Sequence, residues 1–166
     1  MKLTYFICFV LLVMVGKGLN AQNLKKEERA VKTTIKQFFK GLESGDTSLL
    51  KSACTNEPLL QTYMKTRDGK LKMQSENFDD FVAFLATPKT DTYRERIKFE
   101  AIHIEESLAS VWTPYTFYLN GKVSHTGTNS FQLIKTDEGW KIQYIIDTRR
   151  RKGCENDGLK SPSENK

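Results

Sequence analysis

Two kinds of hydrophobic spacing divide the chain beyond its N-terminal segment. From Leu24 to Leu42, apolar residues recur at the i, i+4 and i+7 spacing of one helical stripe, and basic residues occupy many of the remaining positions. After Tyr93 the period falls to two, which is typical of strands with one buried face. The sequence therefore predicts mainly helices in the first half of the chain and strands in the second.

The first half contains three predicted helices and a hairpin. Gly45 ends the first helix, and Asp46 can cap a short second helix. The segment 67–70 centres on Asp-Gly between two apolar runs, which indicates a hairpin turn. A further helix is predicted over 75–85, and Pro88 stops it.

The second half is predicted to form a four-strand antiparallel meander. Asn120-Gly121 is a strong signal for a two-residue turn, and a second turn is predicted over 136–139. Helices grouped before strands indicate an α+β fold, with helices covering one face of a curved sheet. The predicted strands are 94–104, 108–119, 122–135 and 140–147.

The first 21 residues have the pattern of a secretory signal peptide. A basic start precedes an almost wholly apolar run over 3–15, and Ala21 supplies a small residue at the predicted cleavage position. The run is shorter than the roughly 20 residues of a membrane span, and Lys17 closes it. We therefore expect an exported protein, periplasmic or secreted, with no stable membrane anchor after cleavage.

Composition favours one globular domain. The chain has 166 residues, of which 39% are hydrophobic and 11% aromatic, which argues against disorder. The formal charge of +6 falls to +4 when Lys2 and Lys17 leave with the signal peptide, and no basic stripe with interleaved aromatics remains. We therefore expect no nucleic-acid partner. The predicted segments are 1–21 (signal peptide), 22–151 (one domain) and 152–166 (a disordered polar tail).

Three segments of the second half resemble the cone-shaped nuclear transport factor 2-like superfamily. With the long first helix, the Gly-Asp break and the short second helix, they are similar to its bacterial ketosteroid isomerase-like and lumazine-binding branch over about residues 24–150. The resemblance implies a conical pocket between the sheet and three N-terminal helices packed on its concave face, and a homodimer formed through the outer sheet face. The segments are 110–118, 124–133, and 139–142 followed by 146–150.

The register of the meander predicts which residues face that pocket. A two-residue turn pairs Leu119 with Lys122, and the same register carried along the strands places Trp112 opposite Asn129. The resulting face mixes apolar bulk with a few polar groups, as small-molecule pockets do. Pro114 indicates an edge or a bulge, which would shift this register by one residue. The predicted ligand-binding residues are Trp112, Tyr118, His125, Asn129 and Tyr144, with Tyr63 closing the pocket mouth.

His125 is the candidate for acid–base chemistry, because imidazole titrates near neutral pH. The alternative is a core histidine that is hydrogen-bonded to a hydroxyl such as that of Thr116. Asp147 and Arg149 are predicted on the outer face, as a salt bridge that closes the last strand or as a dimer contact. The sequence contains no phosphate-binding glycine loop, nucleophile elbow, zinc motif or calcium loop, so neither a cofactor nor a metal is expected.

Two cysteines, Cys54 and Cys154, remain after cleavage. In an exported chain they could form a disulfide. The alternative is a buried Cys54 thiol and a loose Cys154 in the tail.

The sequence supports three functions. The first is an exported protein that binds an unidentified small, partly apolar molecule in a pocket. The second is a cofactor-independent isomerase, dehydratase or hydrolase that uses His125, which an acid–base pair in the pocket would favour. The third is a dimeric interaction module with a filled core and no ligand.

Overall fold

The computed structural model describes residues 2–66, 68–88 and 90–150, with side chains described from residue 22 onward. The tail predicted over 152–166 lies outside the described residues. Within the described part of the chain, no helix is both long and apolar enough to cross a membrane. The elements in chain order are α1 (Lys2–Ser44), α2 (Thr47–Ser52), β1 (Cys54–Lys65), β2 (Leu71–Glu76), α3 (Phe78–Ala86), β3 (Tyr93–Ile97), β4 (Ala101–Glu105), β5 (Leu108–Leu119), β6 (Lys122–Thr136) and β7 (Gly139–Arg150).

The end of α1 and the start of α2 lie where the sequence predicts, but α1 begins at Lys2 rather than near Leu24. Val31 and Ile35 of the apolar stripe on α1 are fully buried. Gly45 ends this helix with a φ of 69°, a left-handed conformation that glycine adopts without strain. Asp46 then caps α2 by accepting a hydrogen bond from the Leu49 N–H at 2.9 Å.

Helix α3 begins three residues later than predicted. Ser75 and Glu76 continue β2, because they pair with β1. Asn77 is the cap, and its side-chain oxygen accepts a hydrogen bond from the Asp80 N–H at 3.0 Å.

The strands form one curved, unclosed seven-stranded sheet with the order β2-β1-β7-β6-β5-β3, and β4 also pairs with β5. The predicted meander is confirmed, since β5, β6 and β7 are antiparallel neighbours. Strand β1 pairs parallel to β7, which the sequence reasoning did not predict. The core lies between the helices and the inner sheet face, where Phe131, Leu133 and Ile142 are fully buried. The α+β fold predicted from the sequence is therefore confirmed.

The strand predicted over 94–104 consists of two strands, β3 and β4, and both pair with β5. The interruption at 98–100 lies beside Pro114, which has no N–H to donate to a neighbouring strand. Hydrogen bonds still connect Lys98 N–H to Pro114 O and Glu100 N–H to Trp112 O, both at 3.0 Å. Pro114 itself pairs regularly with Thr128 of β6, so the bulge or edge predicted at Pro114 is wrong, and the irregularity beside it is the break between β3 and β4.

A β-bulge between β5 and β6 overturns the predicted register. The turn pairs Leu119 with Lys122 as predicted, but Ser124 is an extra residue, and His125 therefore pairs with Phe117. Because strand side chains alternate between faces, one extra residue reverses the face of the whole partner strand. Trp112 lies opposite Ser130 rather than Asn129. Trp112, Thr116 and Tyr118 therefore lie on the outer face of the sheet, and their predicted inner placement is wrong.

A second bulge, at Gln143 between β6 and β7, acts in the same way near the end of the chain. Leu133 pairs with Ile142 as predicted, but Asn129 then pairs with Asp147. Tyr144 and Ile146 consequently lie on the outer face, whereas Asp147 and Arg149 lie on the inner face. The faces predicted for Tyr144, Asp147 and Arg149 are therefore wrong.

Cys54 is buried and forms no disulfide with any of the described residues. Burial raises the pKa of this thiol to about 12, which keeps it protonated and unreactive near neutral pH. Because Cys154 lies outside the described residues, the pairing of the two cysteines stays a prediction.

Candidate functional site

A cavity of about 280 Å³ lies between the inner face of the sheet and the helices. This volume is just below the range of about 300–1,000 Å³ for small-molecule pockets. One part of its lining is aromatic and the other is polar. The aromatic residues are Phe38, Phe39, Phe81, Phe84, Tyr93, Tyr115, Phe117 and Phe131, and the polar or charged residues are Gln61, Thr62, Glu76, Glu95, His125, Asn129, Asp147 and Arg149.

Asp147 is the centre of a hydrogen-bond network at the polar end. The residue is buried, and its carboxylate accepts hydrogen bonds from Tyr115 Oη at 2.8 Å, Thr62 Oγ1 at 2.5 Å and Arg149 Nε at 3.0 Å. Arg149 Nη2 also donates to Thr62 Oγ1 at 3.0 Å. Buried carboxylates are stable only when they are paired and hydrogen-bonded in this way. The predicted Asp147–Arg149 salt bridge is thus confirmed, although it faces the cavity.

Gly127 allows Tyr115 to reach this network. A Cβ atom at position 127 would lie 1.7 Å from the Thr148 carbonyl oxygen and 2.8 Å from Tyr115 Oη. The Tyr115 hydroxyl also donates to that carbonyl oxygen at 3.0 Å. Burial, reinforced by the negative charge of Asp147, raises the pKa of Tyr115, so its hydroxyl stays a donor.

Glu95, on β3, has the most perturbed carboxyl group of the cavity. Asn129 Nδ2 donates to Glu95 Oε1 at 2.7 Å. Burial, together with the negative charge of Asp147, raises the pKa of Glu95 to about 8. The hydrogen bond from Asn129 and the positive charge of Arg149 act in the opposite direction. Within the described residues, Glu95 Oε2 accepts no hydrogen bond. Glu95 is therefore half protonated near pH 8 and faces the cavity with one oxygen unsatisfied by the described protein.

Sequence reasoning missed Glu95, although its signal was present. In the strand predicted over 94–104, Ile97 and Phe99 alternate with charged residues, and the same alternation places Glu95 on their apolar face. A carboxylate on an apolar strand face is unusual enough to mark a candidate site.

His125 forms part of the cavity wall, as predicted. Its ring stacks on Phe117 with centroids 4.8 Å apart and meets Tyr115 edge-on at 5.7 Å. Its Nδ1 lies 3.2 Å from Ser124 Oγ, so the hydroxyl beside it belongs to Ser124, whereas Thr116 pairs with Thr126. The acid–base role of His125 stays a prediction.

The structure separates the other candidates into two groups. Asn129 lines the cavity and is buried. Trp112 is 48% exposed on the outer face, where Tyr118 and Tyr144 also lie. Tyr144 donates to Gln61 Oε1 at 2.6 Å. Tyr63 is 39% exposed and does not line the cavity, so its predicted place at the pocket mouth is wrong.

Metal-binding side chains are not clustered in the part of the chain that the structure describes. There, no group of three or more His, Cys, Asp and Glu residues is arranged to hold a metal ion.

The described residues thus form an α+β domain with a cavity between a curved sheet and its helices, and solved structures share this architecture. An NTF2-like protein of unknown function from Shewanella baltica is 15% identical with a TM-score of 0.56, and the match covers 75% of this chain and 94% of that protein. An NTF2-like protein with a cystatin-like fold from Novosphingobium aromaticivorans is 10% identical with a TM-score of 0.60 and coverages of 79% and 86%. A domain of unknown function with a cystatin-like fold from Nostoc punctiforme is 17% identical with a TM-score of 0.55 and coverages of 75% and 78%.

These comparisons define the fold. The chain has an NTF2-like fold with the cystatin-like arrangement of sheet and helices, as the resemblance implied. No family model matches the sequence, and no curated protein matches it. An NTF2-like fold is compatible with a ligand-binding pocket, and the neighbours described above leave the ligand open.

Proposed function

We propose that this protein binds a small, largely apolar molecule that carries one polar group. The observation that carries the proposal is a cavity whose aromatic walls meet a half-buried carboxyl group, Glu95, with one oxygen unsatisfied by the described residues. Small-molecule sites typically combine apolar walls with a few convergent polar groups.

The hydrogen bonds around the cavity support a role for Glu95 in orienting the ligand. Asp147, Thr62 and Tyr115 satisfy one another within the network, so their hydrogen-bonding capacity is largely used. Among the described residues, Glu95 Oε2 is not one of the buried side-chain atoms that lack a partner, so this oxygen is open to the cavity, where a ligand can reach it. A polar atom of a ligand would complete the shell of Glu95, while the aromatic walls would remove its apolar part from water.

The aromatic walls support the affinity of such a complex. Removing apolar surface from water contributes about 25 cal/mol per Å², so a ligand that buries about 100 Å² of apolar surface gains about 2.5 kcal/mol from the walls. Hydrogen bonding to Glu95 would then fix its orientation, because a single polar anchor in an apolar cavity leaves one favourable pose.

A substitution that fills the cavity tests this proposal. Leu42 is half-buried in the cavity wall, so Leu42→Trp should occupy ligand space and weaken binding at least tenfold. Ligand-observed NMR with a library of small aromatic compounds would identify binders and measure their affinities for the wild type and this variant.

The matched control is Leu119→Trp, at an exposed strand end outside the cavity. It should leave the affinities unchanged. Binders that tolerate Leu42→Trp as well as Leu119→Trp would show that the cavity is not their site.

Glu95 also favours a second candidate, a cofactor-independent acid–base enzyme. A carboxyl group with a pKa of about 8 can exchange protons with a bound substrate near neutral pH. As a general base it would act as the carboxylate, so the rate should rise with pH and level off above about 8. Deuterium exchange into small carbonyl compounds, followed by NMR, measures this. A Glu95→Gln variant that exchanges as fast as the wild type would contradict it.

Export and homodimerisation also remain our proposals. The signal-peptide pattern of residues 1–21 supports export to the periplasm or the medium. The exposure of Trp112 on the outer sheet face supports a homodimer formed there. The interaction module without a ligand has less support, because it requires a filled core where the structure has a cavity.

A further inference from the structure

We infer that the cavity selects a protonated organic amine, with Glu95 as its counter-ion and the neighbouring aromatic rings as a cation-binding wall. This inference rests on the proposed function and names the class of its ligand. It follows from the charges, the rings and the unsatisfied oxygen of Glu95.

The described residues provide no paired cation for Glu95 when its carboxyl group is ionised. Asp147 and Arg149 compensate each other at 3.0 Å. Helices α1 and α3 contribute only apolar side chains to the lining, so neither brings a cation to Glu95. The other titratable groups that line the cavity are Glu76, Tyr93, Tyr115, His125, Asp147 and Arg149.

Within the described residues, no cation contacts the unsatisfied oxygen of Glu95. Asn129 is a neutral donor to Oε1, and within the described residues no lysine or arginine forms a salt bridge with Glu95. The shift of its pKa towards 8 has the same origin, because burial without a paired cation disfavours the carboxylate. A cationic ligand would supply the missing charge.

The aromatic rings suit a cation in particular. Glu95 pairs directly with Phe117 on the neighbouring strand, and Tyr93 and Tyr115 lie on the same inner face. Side chains of directly paired residues have Cβ atoms about 5 Å apart. An ammonium group bound to Glu95 therefore comes within reach of an aromatic face, and this cation–π attraction is strongest when the cation is removed from water.

Charge also discriminates between ligands of similar shape. An anion beside Glu95 would be repelled once the carboxyl group is ionised, because like charges at close range are repulsive. A neutral alcohol or ketone could hydrogen-bond to Glu95 but would leave the carboxylate uncompensated. A neutral acceptor would instead bind the protonated acid and lose affinity as the pH rises.

Proton linkage gives the amine a distinct pH signature. Below pH 8 the Glu95 carboxyl group must lose its proton before it can act as a counter-ion, so binding releases up to one proton. The association constant of an amine should therefore rise up to tenfold per pH unit between pH 6 and 8. It should level off above about pH 8, where Glu95 is already ionised.

Calorimetry with three ligands of one shape tests the inference: 2-phenylethylamine, 2-phenylethanol and phenylacetate. At pH 8 the amine should bind the wild type at least tenfold more tightly than the alcohol, and phenylacetate should bind most weakly. Repeating the titration at pH 6 in two buffers with different ionisation enthalpies should show release of nearly one proton.

Two variants keep the test specific. Glu95→Gln preserves the shape of the side chain and should abolish both the preference for the amine and the proton release. Glu100→Gln, at an exposed position beyond β3, should change neither. Circular dichroism verifies that both variants are folded.

The amine class is overturned if the alcohol or phenylacetate binds as tightly as the amine, or if amine binding weakens between pH 6 and 8. It is also overturned if none of the three ligands binds while the NMR library yields binders that Leu42→Trp excludes, and the proposed pocket function then stands. If no compound of either set binds in a way that is sensitive to Leu42→Trp, the pocket function itself is overturned.

Discussion

Replacing Gly127 with alanine is expected to destabilise the protein by about 3 kcal/mol or more. This value is the upper end of the usual cost of adding atoms to a well-packed core. The new Cβ atom would lie 1.7 Å from the Thr148 carbonyl oxygen, a backbone atom that cannot move without breaking the pairing of β6 with β7. It would also press on Tyr115 Oη at 2.8 Å. The hydroxyl would be displaced from Asp147, so ligand binding should weaken together with stability.

Urea denaturation followed by circular dichroism measures this loss. Thr128→Ala is the matched control, because Thr128 is half-buried on the same strand and its substitution removes atoms rather than adding them. It should cost about 1 kcal/mol or less, within the usual range for single substitutions. Equal unfolding midpoints for the two variants would show that position 127 has more space than the structure gives it.

Replacing Asp147 with alanine is the second substitution with a large expected effect. It would leave three donors of the network without their acceptor, namely the hydroxyls of Thr62 and Tyr115 and the guanidinium of Arg149. A buried donor without a partner costs about 1–3 kcal/mol. Arg149 is 39% exposed and can recover water, and Tyr115 keeps the Thr148 carbonyl. We therefore expect a total loss of about 3 kcal/mol in the free energy of unfolding.

Thermal and urea unfolding near pH 7 check this value. Asp137→Ala, in the exposed turn between β6 and β7, removes a carboxylate that has no such network, and should change stability by about 0.5 kcal/mol or less. If Asp147→Ala were as mild as this control, the hydrogen-bond network would not stabilise the fold.

The local structure of the helices could be predicted because its signals are local. Gly45 and Asp46 determine the end of one helix and the start of the next through backbone conformation and one hydrogen bond. The Asn120-Gly121 turn likewise specifies its own pairing. Such features depend on a few consecutive residues, and the structure confirms them.

The faces of the strands could not be predicted because they depend on bulges. The extra residues, Ser124 and Gln143, have no distinctive sequence pattern, yet each reverses the orientation of a strand relative to its neighbour. His125 and Asn129 were assigned to the correct face because they alternate along β6 with Phe131 and Leu133, which are fully buried on the inner face. Trp112 and Asp147 lie beyond a bulge from that strand, and both assignments were wrong.

The hydrogen-bond network around Asp147 also affects the pKa of Glu95. Asp147 raises the pKa of Glu95 through its negative charge, and Gly127 helps to hold Tyr115 on Asp147. The cavity therefore combines a satisfied, structural carboxylate with an unsatisfied, titratable one. From their different surroundings we propose that the first stabilises the fold and that the second recognises the ligand.

The central claim, that the cavity holds a small molecule anchored at Glu95, is tested most directly by a high-resolution crystal structure of protein purified from its native source. We predict electron density for a compact ligand between Phe81 and Phe117, with a polar atom about 3 Å from the Glu95 carboxyl group, a normal hydrogen-bond distance. A cavity closed by the rings of Phe39, Phe81 and Phe117, with no space left beside Glu95, would contradict the claim.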